Sequence, residues 1–149
     1  MFAVGHSLGA SFANSLGCAR GEVVRAIATL AGGVMPANCR APTAAVILHN
    51  PNDRLVDIGY GIRARNLYLA GNGYGRKGYL VQRGDFACTR YGGAGDLDPV
   101  LWCPHSVNYQ SNGRDYPHQW PRGLGKVVMA FFESLPPPED SVLAAALQP

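Results

Sequence analysis

The chain has 149 residues, 47% of them hydrophobic, and a formal net charge of +3, which suits one domain with a sizeable core. Only 15% of its residues are charged, against roughly 25% in an average soluble domain, and its arginines are scattered (Arg20, Arg25, Arg40, Arg54, Arg63, Arg65), so no nucleic-acid partner is expected. No run approaches ~18 uninterrupted apolar residues, so no segment reads as a membrane span.

Phe2-Ala3-Val4 is short and apolar and ends at Gly5, as the tail of a buried strand does. From Leu8 to Ala19 small and apolar residues recur at helical spacing, with Gly17 near the end. Val23 to Leu30 is rich in β-formers and closes on Ala31-Gly32-Gly33, a second strand and turn. Ala44 to Leu48 is a continuous apolar run, the pattern of a strand covered on both faces. A polar loop, His49 to Asp53, follows it. Ile58 to Ala70 reads as a helix stopped by Gly71-Asn72-Gly73.

From Gly75 to Pro104 the signal is mixed: glycines, two cysteines and short β-prone pieces. Ser106 to Gln110 is the expected fourth strand, ended by the turn pair Asn112-Gly113. Gly123 to Leu135 is amphipathic and helical, and Pro136-Pro137-Pro138 stops it. Strands alternating with helices imply βαβ units and a mainly parallel sheet flanked by helices, an α/β fold. One domain is expected over 1–135, with a Pro-rich tail over 136–149.

The four cysteines, Cys18, Cys39, Cys88 and Cys103, form no CxxC pattern, and no histidine spacing makes a zinc site. No metal is expected. An even count fits two disulfides in an oxidising compartment; four buried thiols are the alternative. Cys88 with Cys103 is the favoured pair, because it would brace one loop-rich segment, and the connectivity stays open.

Gly5-His6-Ser7-Leu8-Gly9 matches G-x-S-x-G. A nucleophilic serine needs to stand at the tip of a tight, strained strand-to-helix turn, and glycines two residues to either side leave room for strand and helix to approach. A strand ends just before this motif and a helix begins just after it, as the elbow demands; an ordinary Gly-rich turn is the alternative. The N–H of Leu8 would face a developing oxyanion, helped by the positive end of the following helix.

An elbow of this kind belongs to the α/β-hydrolase fold, where the serine is followed along the chain by an acid and then a histidine. The loop after Ala44–Leu48 offers Asp53, in the turn leaving the strand, and Asp57, better placed to cap the next helix. Asp53 is the expected acid. Beyond it lie His105 and His118. His118 sits in the Pro-bracketed stretch Tyr116-Pro117-His118-Gln119-Trp120-Pro121, between the expected last strand and last helix, whereas His105 would precede that strand and lie toward the wrong end. His118 is therefore the expected base. The chemistry implied is acyl transfer through an acyl-enzyme, with no cofactor.

The elbow, the stretch Gly17-Cys18-Ala19-Arg20-Gly21-Glu22-Val23, Asn52-Asp53, Val100-Leu101-Trp102-Cys103 and the Tyr116–Pro121 loop together resemble the feruloyl esterase and polyhydroxybutyrate depolymerase-type esterases. The similarity runs from residue 1 to about 135. It implies a secreted, extracellular carboxylic-ester hydrolase without metal or organic cofactor, and the same Ser7, Asp53 and His118. Such enzymes carry several strands before the elbow and a loop that gives a second oxyanion donor. Only six residues precede Ser7 here, so the chain is expected to be the C-terminal half of the domain, with Phe2–Val4 a bare apolar edge and little activity on its own.

His6, inside the elbow, and Trp120, beside His118, are candidate substrate-binding residues. Trp120 would pack an aromatic acyl group such as ferulate, or anchor its loop. Tyr60, Tyr74 and Tyr79 are weaker candidates for a groove. Ferulate esters of plant polysaccharide and hydroxyalkanoate polyesters are both open as substrates. An acyltransferase with the same residues and a catalytically silent binding module are the rival readings.

Overall fold

A computed structural model describes residues 1–35 and 38–137. The expected tail from residue 138 onward lies outside the described residues. The elements run β1 (Phe2–His6), α1 (Leu8–Ala19), β2 (Ala26–Leu30), β3 (Ala44–His49), α2 (Ile58–Gly71), β4 (Tyr79–Arg83), β5 (Phe86–Tyr91), β6 (Val100–Pro104) and α3 (Leu124–Glu133). The six strands form one sheet in the order β1-β2-β3-β6-β5-β4. Strands β1, β2, β3 and β6 pair in parallel, and β4 and β5 extend the sheet antiparallel. The architecture is α/β, with a mostly parallel sheet and three helices.

Side chains alternate across a strand, and the core divides accordingly. Ala26, Ala28, Leu30, Ala44, Val46, Leu48, Leu101 and Cys103 pack with Leu124, Val127, Val128, Phe131 and Phe132 of α3. On the other face, Ile27, Ala45, Ile47, Val100 and Trp102 pack with Cys18 of α1 and Ala64, Tyr68 and Leu69 of α2. β2 and β3 are buried on both faces, which is why their sequences read as unbroken apolar runs. At the sheet's edge β1 pairs with β2 alone among the described residues, Phe2 and Val4 are about half exposed, and Phe2 stacks on Phe132.

Several boundaries differ from the sequence expectation. β2 begins at Ala26 and not Val23, because Val23 and Val24 both donate backbone N–H groups to the carbonyl of Arg20 and close a turn after α1. The ambiguous stretch before Pro104 holds three strands: the β4–β5 hairpin, turned at Gly84 with φ +56°, and β6. The expected strand Ser106–Gln110 is absent. The last parallel strand is β6, whose Val100–Cys103 side chains are all buried between β3 and β5. Past it the chain leaves the sheet, and Tyr109 makes only an isolated bridge to Asp115.

Both disulfides form: Cys18–Cys39 and Cys88–Cys103. The second does not brace a loop. It ties neighbouring strands β5 and β6, one residue beyond the Thr89–Trp102 register pair.

Candidate active site

The C-terminal ends of β1, β2, β3 and β6 meet along one edge of the sheet, and the chain leaves each of them in a loop. The sharpest is at Ser7, which joins β1 to α1. Its backbone has φ 57° and ψ −123°, a conformation that costs a residue with a Cβ roughly 1–3 kcal/mol and persists only where neighbours enforce it. The neighbours do so. The N–H of Ser7 donates to the carbonyl of Leu30 at 2.9 Å, and its own carbonyl accepts the N–H of Ser11 at 3.1 Å. A Cβ at Gly5 would collide with the carbonyl of Gly9, and one at Gly32 with Ala10 and the N–H of Ser11. Gly9 is different. A Cβ there meets nothing within 4 Å, so the close approach of strand and helix rests on Gly5 and Gly32, not on the second glycine of the motif. Leu8 is the first residue of α1, and its side chain is 84% exposed.

The loop after β3 carries Asp53. A short turn forms around its carboxylate, whose Oδ1 accepts the N–H of Leu55 at 2.8 Å and of Val56 at 3.0 Å. The other oxygen, Oδ2, accepts the Nδ1–H of His118 at 2.6 Å. Both side chains are almost wholly buried. Burial alone would raise the Asp53 pKa, but the hydrogen bonds from His118, Val56 and Leu55 outweigh it and hold the carboxyl below its ordinary value. Asp57 instead caps α2, accepting the N–H of Gly59 at 2.7 Å.

His118 lies in the irregular stretch 105–123, close to the elbow. The His6 ring lies 4.9 Å, centroid to centroid, from the His118 ring. Among the described residues no hydrogen bond links the hydroxyl of Ser7 to the His118 ring. His6, expected to touch substrate, has its Nε2 placed 2.6 Å from the main-chain carbonyl of His118. Trp120 is 38% exposed and stands edge-on to His6 at 6.3 Å.

His105 requires a correction. It does not precede the last strand. It follows β6 directly, at the same edge of the sheet as Asp53, with its N–H on the carbonyl of His49. Its Nδ1 faces the N–H of Val107 at 3.3 Å, and burial, with His49 nearby, pushes its pKa down to about 4. It is a buried neutral packing histidine.

Tyr60 sits against Gly33 at the site end of α2. Tyr74 and Tyr79 stand at the opposite end. Tyr79 pairs with Arg90, which pairs with Leu101 near the start of β6. Tyr74 abuts Asp96, and burial and that carboxylate raise its pKa to about 12.

Two residues carry geometry that sequence reading missed. The Nε2–H of His49 donates to the carbonyl of Val56 at 2.9 Å and lies 3.9 Å from Asp53 Oδ2, pinning the acid loop from behind. Asn50, buried, donates to the carbonyl of Val107 and to Asn108 Oδ1, both at 3.0 Å, which joins the acid loop to the 105–123 loop. The partners of Asn50 lie more than fifty residues away in the chain, so no local pattern announces them. Beside the acid loop is a cavity of about 360 Å³ lined by Asn52, Arg54, Asn108, Tyr109 and Asp115 among others. Among the described residues no group of three His, Cys, Asp or Glu side chains could hold a metal ion, and no helix is long and apolar enough to cross a membrane.

No protein-family model matches the chain. Two curated proteins are similar to it. Feruloyl esterase D of Neurospora crassa is 28% identical over 120 residues, which is 77% of this chain and 41% of that protein. Probable feruloyl esterase C of Aspergillus terreus is 36% identical over 75 residues, 48% of this chain and 27% of that protein. The chain therefore spans less than half the length of the curated relatives it matches.

Proposed function

We propose that the protein is a serine carboxylic-ester hydrolase of the α/β-hydrolase type, with Ser7 as nucleophile, His118 as base and Asp53 as the acid that orients it. The observation that carries this reading is the convergence of three loops at one sheet edge. The serine is held at positive φ, the ring of its chain neighbour His6 lies 4.9 Å from that of His118, and the Nδ1–H of His118 is bound to a buried carboxylate. Likeness to two feruloyl esterases supports the same class.

The chemistry follows from the groups. Ser7 Oγ attacks the ester carbonyl carbon as its proton passes to His118 Nε2. Asp53 accepts the Nδ1–H, fixes the tautomer that leaves Nε2 free to take a proton, and stabilises the imidazolium. The tetrahedral oxyanion faces the Leu8 N–H at the positive end of α1. The intermediate collapses, the alcohol leaves with the proton from His118, and water repeats the sequence on the acyl-enzyme. The bond between Ser7 Oγ and His118 Nε2 is one that forms as the reacting complex tightens.

The substrate in this reading is a feruloyl (hydroxycinnamoyl) ester of plant polysaccharide. Trp120 and the exposed Leu8, Leu55 and Tyr60 offer apolar and aromatic surface to the acyl group. The cavity lined by Asn52, Arg54, Asn108 and Asp115 suits a hydroxyl-rich alcohol. Two disulfides fit an extracellular setting. The test, made on the full-length protein, is release of ferulate from methyl ferulate, measured beside hydrolysis of a 3-hydroxybutyrate oligomer. Faster turnover of the ferulate ester, lost by several orders of magnitude in Ser7→Ala, is the expected result. Preference for the oligomer overturns the substrate, and full activity in Ser7→Ala overturns the mechanism.

A further inference from the structure

The expected base rides on nineteen residues, 105–123, that contain no helix and no strand beyond the single bridge at Tyr109 and Asp115. A histidine in such a loop needs its backbone fixed as well as its ring. The ring is fixed through Nδ1 by Asp53. The backbone has a different anchor. His6 Nε2 lies 2.6 Å from the carbonyl oxygen of His118, and among the described residues this is the only hydrogen bond between the elbow and the base loop. A carbonyl only accepts, so His6 must carry its proton on Nε2.

We infer that His6 is a positioning residue: its Nε2–H holds the main chain of His118 at a fixed height above Ser7, so that the imidazole reaches the hydroxyl. The inference rests on the ester-hydrolase reading and adds to it a residue that acts through another. The placement favours this over a substrate contact. The Nε2 proton is already committed to the loop, and the indole of Trp120 stands beside the His6 ring. His6 is also the residue next to Ser7 in the chain and the last of β1, so its own backbone is fixed by sheet pairing to Leu30. Through one ring, the rigid strand that sets the nucleophile also sets the base. A displacement of about 1 Å at a reacting group can cost on the order of a hundredfold in rate, which is the scale at stake.

The experiment compares His6→Leu, which removes the donor, with His6→Gln, whose amide N–H can replace it. In the full-length protein, hydrolysis of p-nitrophenyl acetate gives kcat and KM, and hydrogen exchange gives the protection of the 116–120 segment at the amides of Tyr116, His118, Gln119 and Trp120. The expected result for His6→Leu is a kcat lower by roughly ten- to a hundredfold, KM within about threefold, and faster exchange in 116–120. His6→Gln is expected to recover most of both losses. The inference is overturned if His6→Leu keeps its kcat and its amide protection. It is also overturned if only KM rises, which makes His6 a substrate contact, or if Gln is as impaired as Leu. Ser7→Ala assayed alongside separates the two claims. Turnover retained in Ser7→Ala ends the hydrolase reading, while exchange at 116–120 still decides the tether.

Discussion

The elbow and the base loop are built on opposite principles. Around Ser7 everything is local and regular: a strand, one strained residue, a helix, and a neighbouring strand that supplies one carbonyl. Around His118 almost nothing is regular. The loop is held by polar ties that reach far along the chain, 65 residues to Asp53 and 112 to His6. Packing of regular elements can set one residue at an unfavourable φ because it fixes many atoms at once. A loop has no such packing, so each functional group in it needs its own hydrogen bonds. Damage to the elbow should therefore register as lost stability, and damage to the loop as lost rate.

The largest test of that contrast is Asp53→Asn. It keeps the shape of the acid but favours the wrong histidine tautomer, and a fall in kcat of ~10⁴ is expected, much larger in free energy than the stability lost with the carboxylate. Equal loss of stability and rate would dissolve the distinction. Next is the pair Gly5→Ala and Gly9→Ala. A methyl at Gly5 collides with the Gly9 carbonyl, and overpacking of this kind costs about 1–3 kcal/mol. At Gly9 the space is open, and alanine in a helix gains roughly 0.5–1 kcal/mol over glycine. Urea unfolding of both variants should differ in sign. A smaller effect is expected from Asp57→Ala, which removes the N-cap of α2: about 1 kcal/mol of stability, with ester turnover unchanged.

The last effect is confined to acid. The Asp53 pKa is lowered by folding from an ordinary value of 3.8. Its contribution to stability is thus fully present above that value and is lost as pH falls through the lower folded value. Below pH ~4 the base loop should loosen before the elbow does, and amide exchange at 116–120 against 8–16 would register the order.

The same contrast explains what the sequence made legible. α1, β3 and α2 were readable because continuous or periodic apolar residues dictate them locally. The serine motif was readable because strand, turn and helix are contiguous. β6 was not, since its apolar run is only four residues long and lies between Pro99 and Pro104. The alternating Val107 and Tyr109 mimicked a strand but belong to an exposed loop. That misplacement put His105 at the wrong end of the sheet. The hairpin β4–β5 was hidden by its glycines and by exposed residues such as Leu80. Asn50 and the turned-in ring of His6 had no local signal, because their partners lie 57 and 112 residues away and are set by the fold.

The central claim is that the hydroxyl of Ser7 is made nucleophilic by His118. Covalent labelling with a fluorophosphonate probe, mapped by peptide mass spectrometry, tests it most directly. A single label on Ser7 is expected, absent in Ser7→Ala and formed orders of magnitude more slowly in His118→Ala. An unlabelled Ser7, or one labelled as fast without the imidazole as with it, would contradict it.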